Sequence, residues 1–584
     1  MKKKRPKNYI NLRIALVGIC FFLLISVIGA KAVYLQVFCG SWLSKKAARQ
    51  YEESFVQEGK RGAIYDRDGN ALAVSIEGTS IAAYLNQIED KKSTSQALAD
   101  ILRKDRHKLL KQFQTRQGFV WVKRQATPKE VSAVKTLGLK GIGFIPEYSR
   151  FYPNKSVAAQ VIGFTGTDGN GLEGAEYYYD QVLSGTEQKY TVLKDALGRG
   201  FAKDQETKDP LYKSIHSGKN IILTLDRNIQ YITQTALETS VKDFSAQSGM
   251  AIVMDPGTGE ILALSHYPSF NPNVFEQYPR HLWRNRALTD PFEPGSTIKI
   301  FSAAAALSSG ACSPNTIFYC ENGAYKIGSN TIHDTHPRGW LSLQQIIKYS
   351  SNIGITKVIE MVGPETLYTT LKNFGFGEKT GLDCPGETTG VLTSSNRWSN
   401  IDMSAIAFGQ GISTSALQLV SAAAAIANGG TLMKPFIVQS ITNENGRILK
   451  QTTPKIIRRA VSPEVAAIVK RIMQTVVTEG GTGTSAFLDG YTVCGKTGTA
   501  QKTDKSGNYA QGKYTSSFLG FAPAEKPRLV ILVVIDEPTG VYYGGTVAAP
   551  AFQKIAHETL QHLNVPPETK KGAIKAALIT GVSG

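Results

Sequence analysis

The chain has 584 residues, 42% of them hydrophobic and 19% charged, with a net charge of +19. That length exceeds what one compact core holds, and that composition excludes a largely disordered chain. The basic balance suits anionic lipid or an anionic wall polymer, whereas no Lys/Arg stripe interleaved with aromatics points to nucleic acid.

The first segment, MKKKRPKNYINLR, carries Lys2, Lys3, Lys4, Arg5, Lys7 and Arg13 and no acid. IALVGICFFLLISVIGA follows, from Ile14 to Ala30, without a charge. At 1.5 Å per residue it spans about 26 Å, and AVYLQVF beyond Lys31 lengthens it past ~30 Å if Lys31 snorkels. The reading is a basic tail over 1–13 and a transmembrane anchor over 14–35, with the tail cytoplasmic and the remainder exported. A cleaved signal peptide is the alternative, because Ala30-Lys31-Ala32 resembles a processing site.

Residues 36–215 form a first module, a spacer or docking unit without a nucleophile and base. KRGAIYDRDGNALAVS (Lys60 to Ser75) predicts strand, Asp-Gly turn, strand. Ser93 to Leu139 has a mostly helical pattern. RFYPNKSVAAQVIGFTG and GLEGAEYYYD then supply loops and a short helix.

The second domain, 216–584, opens with a short strand and helix in NIILTLDRNIQYITQTALETSV. Ala251 to Ser265 predicts a hairpin around Pro-Gly. A helical block is expected from Ser296 to about Ala427. Strands return in TVCGKTGTAQ, YTSSFLGFAP and RLVILVVIDE, before an amphipathic helix from Ala549 to Leu563. Strands at both ends with helices between them predict an α+β fold: one antiparallel sheet with helices on its faces.

Six cysteines are scattered without a C-x-x-C pair, which disfavours a zinc ribbon; a disulfide between Cys312 and Cys320 is one option in an oxidising compartment. His333-Asp334-Thr335-His336 superficially suggests metal, but with no third ligand a polar loop is the better reading. No metal or cofactor is implied.

PFEPGSTIK, from Pro291 to Lys299, concentrates the chemistry. Pro294-Gly295 halts the preceding chain, so Ser296 falls on the first turn of a helix that Gly310 ends. Lys299 lies three residues on, along the same face. Lysine is a base only when neutral, so its pKa must fall by roughly three units from about 10.4, at a cost of about 4 kcal/mol. Burial and a second cation would supply that. The motif S-x-x-K recurs at Ser132–Lys135, a decoy without a preceding Pro-Gly. K-T-G also occurs twice. Lys379-Thr380-Gly381 sits in a loop, while Lys496-Thr497-Gly498 and Thr499 lie in a strand whose edge can bind an extended peptide. Between them, Ser350-Ser351-Asn352 precedes a helix, with Ser351 read as a packing residue. Cys494 has the parity of Lys496, and a small residue packed under the strand is the reading preferred over one facing the cleft.

The order S-x-x-K, S-x-N, K-T-G resembles the signature of penicillin-binding proteins and serine β-lactamases. RGAIYDRDGNALAVS, FEPGSTIK, YSSNIGITK, FGQGISTSALQL, CGKTGTAQ and YYGGTVAAP extend the resemblance to the class B, monofunctional penicillin-binding proteins, most similar in pattern to the septal peptidoglycan transpeptidase. The resemblance implies a D,D-transpeptidase of the penicillin-recognising serine fold. Ser296 would be the nucleophile, Lys299 the base, Ser350 the proton relay, Asn352 a holder of the peptide amide, and Lys496 the second cation. Thr497 and Thr499 would bind the terminal carboxylate beside Gly498, and backbone N–H groups of Ser296 and Thr499 would form the oxyanion hole. It also implies peptidoglycan stem peptides as donor and acceptor, β-lactams as inhibitors and a SEDS-family glycan polymerase as partner, at the division site of the inner membrane. The elongation-specific transpeptidase and the D,D-carboxypeptidase are the alternatives; a β-lactamase would gain nothing from the anchor and first module, and the intact motif set disfavours a scaffold.

Overall fold

The computed structural model describes residues 9–43, 52–57, 59–116, 118–185, 188–194, 200–201, 217–503 and 509–568. The basic tail up to residue 8 and the expected junction at 215–216 lie outside them. Helix α1 (Ile10–Val33) continues as a π-helical turn through Phe38; an 18-residue stretch within Ile10–Phe38 has a mean hydropathy of 2.5, and no residue of the span is buried. It is long and apolar enough to cross a membrane.

The chain divides into two compact units. One comprises Met1–Gly59, Thr79–Glu147 and Thr186–His216; the other comprises Lys60–Gly78, Tyr148–Gly185 and Ser217–Gly584.

In the smaller unit, helices Lys91–Leu102 and Arg106–Thr115 start at Asp90 and Asp105, whose side chains accept the first free N–H groups. Thr127 and Glu130 form a capping box on helix Pro128–Thr136. Leu98, Leu102, Leu109 and Phe113 pack on Ile81, Ala83, Val120 and Val122. The helical expectation over 93–139 is corrected by strand Phe119–Ala126, which pairs antiparallel with residues 79–84, Ala82 opposite Trp121. Val and aromatic residues suit a pleated, half-buried surface, and Val120 and Val122 face the core in strand alternation.

In the larger unit, helix α2 (Arg227–Asp243) precedes hairpin strands β1 (Ser248–Met254) and β2 (Ile261–Tyr267). After a 3₁₀ turn at Gly295–Ile298 come helices α3 (Lys299–Ser308), α4 (Leu343–Tyr349), α5 (Asn352–Val362), α6 (Ala416–Ala427) and α7 (Pro463–Val477). Strands β3 (Cys494–Thr503), β4 (Tyr509–Ala522) and β5 (Leu529–Asp536), then helix α8 (Ala549–His562), follow, while strand Asn220–Leu223 pairs with Val438–Thr442 in a separate sheet.

Strands β1 to β5 form one antiparallel sheet in the order β2-β1-β5-β4-β3, so N- and C-terminal strands meet at β1–β5. Both faces are covered, which accounts for the unbroken apolar runs of β1 and β5. Met250, Ile252, Val530 and Leu532 pack in the cluster containing α3 and α6, while Ala251, Val253, Ile531 and Val533 pack against α2 and α8. Every residue of α6 is buried; its alanines permit close approach to its neighbours.

The block from 296 to 427 is not wholly helical. Short strands Ile317–Tyr319 and Trp340–Ser342 pair, as do Ala324–Ile327 and Asn330–His333 around Gly328 (φ 61°). They bring Asp334 to the start of α5. Cys312 and Cys320 are free thiols, so the disulfide option does not hold.

Candidate active site

Gly295 has φ 53° and sits so close to β3 that a Cβ there would meet the Thr499 carbonyl oxygen at 2.9 Å. Ser296 follows in the 3₁₀ turn and is half-buried. Thr297 Oγ1 donates to the Pro294 carbonyl at 2.7 Å, tightening the turn from within. Lys299 begins α3 and is completely buried. The helix start predicted at Ser296 is thus a 3₁₀ turn feeding an α-helix that stops at Ser308, ahead of Gly310 with φ 71°.

Ser350 closes α4 in the left-handed conformation (φ 60°), which turns the chain sharply before Ser351 caps α5. Lys299 Nζ donates to the Ser350 carbonyl at 2.6 Å, to Ser350 Oγ at 3.3 Å and to Asn352 Oδ1 at 2.6 Å. From β3, the fully buried Lys496 donates to Ser350 Oγ at 2.9 Å and to its neighbour's carbonyl, Thr497 O, at 2.9 Å. Two buried lysines therefore meet at one serine hydroxyl. Burial pulls Lys299 from its ordinary 10.5 to about 7, against the opposing pull of Asp334. Burial, and then the Lys299 charge, hold Lys496 well below its ordinary value.

That desolvation costs the folded chain about 5 kcal/mol while Lys299 is protonated. A lysine with a depressed folded-state pKa destabilises fully below about 7, and the penalty lifts as pH climbs toward 10.5, where the unfolded chain no longer binds the extra proton. Replacing Lys299 with Met should therefore raise the Tm relative to wild type by more at about pH 6 than at about pH 9. Paired thermal melts at the two pH values check this.

β3 is the end strand of the sheet, with its outer edge unpaired among the described residues. Thr497 is 8% exposed, and its hydroxyl is 3.0 Å from Thr482 Oγ1. Thr499 is half-buried, and its hydroxyl accepts from the Gly544 N–H at 3.2 Å. Gly498 is required by space: a Cβ there would meet Ser517 Oγ at 2.3 Å, Thr297 Cγ2 at 2.8 Å and the Pro294 carbonyl at 3.1 Å. The strand carrying Lys496 thus lies directly against the turn carrying Ser296. Along the continuation of β3, a cavity of about 330 Å³ is bordered by Arg286, Glu293, Ala500, Lys502 and Asp536.

All eight predicted site residues therefore converge on one cleft, and the decoys do not. Ser132 and Lys135 sit on a helix of the smaller unit, with Lys135 over the Phe144 ring. Lys379-Thr380-Gly381 is a loop whose N–H groups are held by the Glu387 carboxylate. Cys494 is fully buried and donates to the Lys470 carbonyl at 3.3 Å, the packing role expected of it.

Other supporting residues escaped sequence reasoning. Asp334, weighed only as part of a metal-like string, accepts from Ser351 Oγ and from the N–H groups of Asn352 and Ile353; no group of three or more potential metal ligands occurs among the described residues. Ser351 itself is the N-cap of α5, accepting from the Gly354 N–H at 2.8 Å. Gly409 (φ 89°) accepts from the Gly295 N–H at 3.0 Å, and a Cβ on it would fall 2.0 Å from the Gly295 carbonyl oxygen. Gly409→Ala should push the Ser296 turn out of place, lowering Tm and slowing acylation about a hundred-fold. Stopped-flow acylation of the variant measures it.

Residues 249–557 match the family described as the penicillin binding protein transpeptidase domain, and residues 56–223 match the penicillin-binding protein dimerisation domain. The chain belongs to the class B penicillin-binding proteins. This penicillin-binding protein is 35% identical to the probable peptidoglycan D,D-transpeptidase PbpC of Pseudomonas aeruginosa, over 96% of each chain. It is 32% identical to the peptidoglycan D,D-transpeptidase FtsI of Escherichia coli K12, over 97% of its own length and 95% of the relative's. Among solved structures it is similar to penicillin-binding protein 3 of Mycobacterium tuberculosis complexed with aztreonam, with a TM-score of 0.68, 29% identity, and coverage of 88% of this chain and 98% of that one.

Proposed function

We propose that this penicillin-binding protein is a serine D,D-transpeptidase that crosslinks peptidoglycan stem peptides during septal wall synthesis. The observation that carries the proposal is the meeting of two completely buried lysines at the Ser350 hydroxyl, beside the Ser296 turn and the open edge of β3. A buried lysine near neutrality is a competent base at the pH of the cell exterior, and nothing in a purely structural role requires two such groups together.

In the reaction, a stem peptide pairs with the β3 edge and its terminal carboxylate lies against the Thr497 and Thr499 hydroxyls, and Lys496 regains positive charge as that carboxylate arrives and Lys299 is neutral. Ser296 Oγ attacks the carbonyl between the two terminal D-alanines while Lys299 takes its proton. Backbone N–H groups of Ser296 and Thr499 receive the oxyanion, and Gly498 leaves room for the strand to approach. Ser350, bonded to both lysines, returns a proton to the departing D-alanine amine. The acyl-enzyme then yields to an amine on a second stem peptide, forming the crosslink and restoring Ser296. Asn352 holds the peptide amide once its own bonds to Lys299 and the His333 carbonyl loosen. β-Lactams imitate the D-Ala-D-Ala amide and stop at the acyl-enzyme.

The broader assignments go with this reading. The tail at 1–13 is cytoplasmic, 14–35 is an uncleaved anchor, 36–215 is an interaction module and 216–584 is the transpeptidase domain outside the membrane. A SEDS-family glycan polymerase and other division proteins are the partners, met at the division site through the anchor and first module. The membrane assignment is supported by the apolar span Ile10–Phe38.

The full chain, incubated with a stem pentapeptide ending in D-Ala-D-Ala and a stem acceptor, should release D-alanine and form crosslinked dimer. D-Alanine release without dimer would assign the carboxypeptidase instead. Depletion in cells should give filaments; round cells would assign lateral-wall elongation.

A further inference from the structure

Asp334 does more than end a hairpin. One oxygen of its carboxylate accepts the N–H groups of Asn352 and Ile353, the latter at 3.0 Å, and the other accepts the Ser351 hydroxyl. The next bonds lead inward. The Asn352 side chain donates to the His333 carbonyl at 2.9 Å and accepts Lys299 Nζ at 2.6 Å, so the chain from Asp334 to the base runs through one residue. Ser351 caps only the Gly354 N–H of α5, so the Asp334 carboxylate both completes that helix start and leads inward to the base.

We propose that Asp334 is a positioning residue for acylation, fixing the Ser351-Asn352 turn while its negative charge sets the charge state of the buried Lys299. This rests on the function proposed above. The charged groups facing Lys299 are Asp334, from the loop after Asn330–His333, and Lys496, from β3. α4 and α5 present only the neutral Ser350 and Asn352 to it. Beside Asp334 lies the Cys320 thiol, which burial pushes up and keeps neutral, while His333 and His336 are exposed to solvent and Lys357 is paired with Glu321. Two buried lysines with no counter-charge would both be strongly driven to the neutral form, leaving a base too weak to take a serine proton. Asp334 opposes that drive for Lys299.

The test is the pH profile of second-order acylation by a fluorescent penicillin, on the full-length protein in detergent. Removing the Asp334 charge favours neutral Lys299, so in Asp334→Asn the acid limb should move down by about one pH unit. Its rate near pH 6, relative to its own plateau, should rise correspondingly. Asp334→Ser, a second neutral variant with a shorter side chain, should move the limb the same way should the Asn variant not fold. Asp334→Glu, which keeps the charge, should stay near the wild-type midpoint. Ser351→Ala removes a partner of the same carboxylate without altering charge, and should lower Tm while leaving the midpoint in place. A limb unmoved in the neutral variants, or moved equally by Ser351→Ala, overturns the inference. Absence of any adduct on the wild type would instead overturn the proposed function.

Discussion

A chain carrying Ser296→Ala should acquire no covalent label from a fluorescent penicillin and should crosslink no stem peptide. The expected loss is about a million-fold, since removal of a nucleophile leaves only what binding and oxyanion donors contribute. Folding should survive. Ser296 is half-buried on a turn held by Thr297, Gly295 and Gly409 rather than by its own hydroxyl. Gel fluorescence after labelling and a thermal melt of the same preparation check both halves. A Ser296→Ala chain that still labels places the nucleophile elsewhere.

The second large effect concerns the base. Lys299→Met keeps the stem of the side chain and removes the amine, so the apolar packing around α3 is preserved while proton transfer is not. Acylation should slow by about four orders of magnitude, within the range expected for loss of a general base. Noncovalent capture of the peptide on β3 should persist, because Thr497, Thr499 and Lys496 remain. The distinguishing readout is therefore a rate lost with little change in noncovalent affinity. An equal loss of both would make Lys299 a structural lysine whose removal collapses the cleft.

Much of this site could be read from the chain because its chemistry is carried by short motifs with strong local grammar. Pro294-Gly295 forces the chain to turn before Ser296, and Lys496-Thr497-Gly498 sits in a run whose neighbours alternate as a strand. Their order along 200 residues discriminated them from the decoys at Ser132 and Lys379, and the structure leaves those two in a helix of the other unit and in a loop. The sheet was likewise legible, since β1 and β5 are apolar on both parities and only a sheet covered on both faces needs that.

What escaped depends on partners distant in sequence. Strand Phe119–Ala126 lies between helices, and its alternation was lost within a longer helical pattern. The short strands between 317 and 342 have only three or four residues each, too few for a period to emerge. Asp334 acquires its role only when these hairpins fold it against Ser351, and Gly409 acquires its role only because Gly295 passes within 2.0 Å of where its Cβ would be. Neither constraint leaves a local trace beyond a polar string and a glycine pair.

The measurement that bears most directly on the account is acylation of the wild-type chain by benzylpenicillin across the neutral pH range, followed by peptide mapping of the adduct. The account predicts one adduct, on the peptide containing Ser296, formed at a rate that rises through about pH 7 as Lys299 loses its proton. An adduct on any other residue, or a rate indifferent to pH across that range, would contradict it.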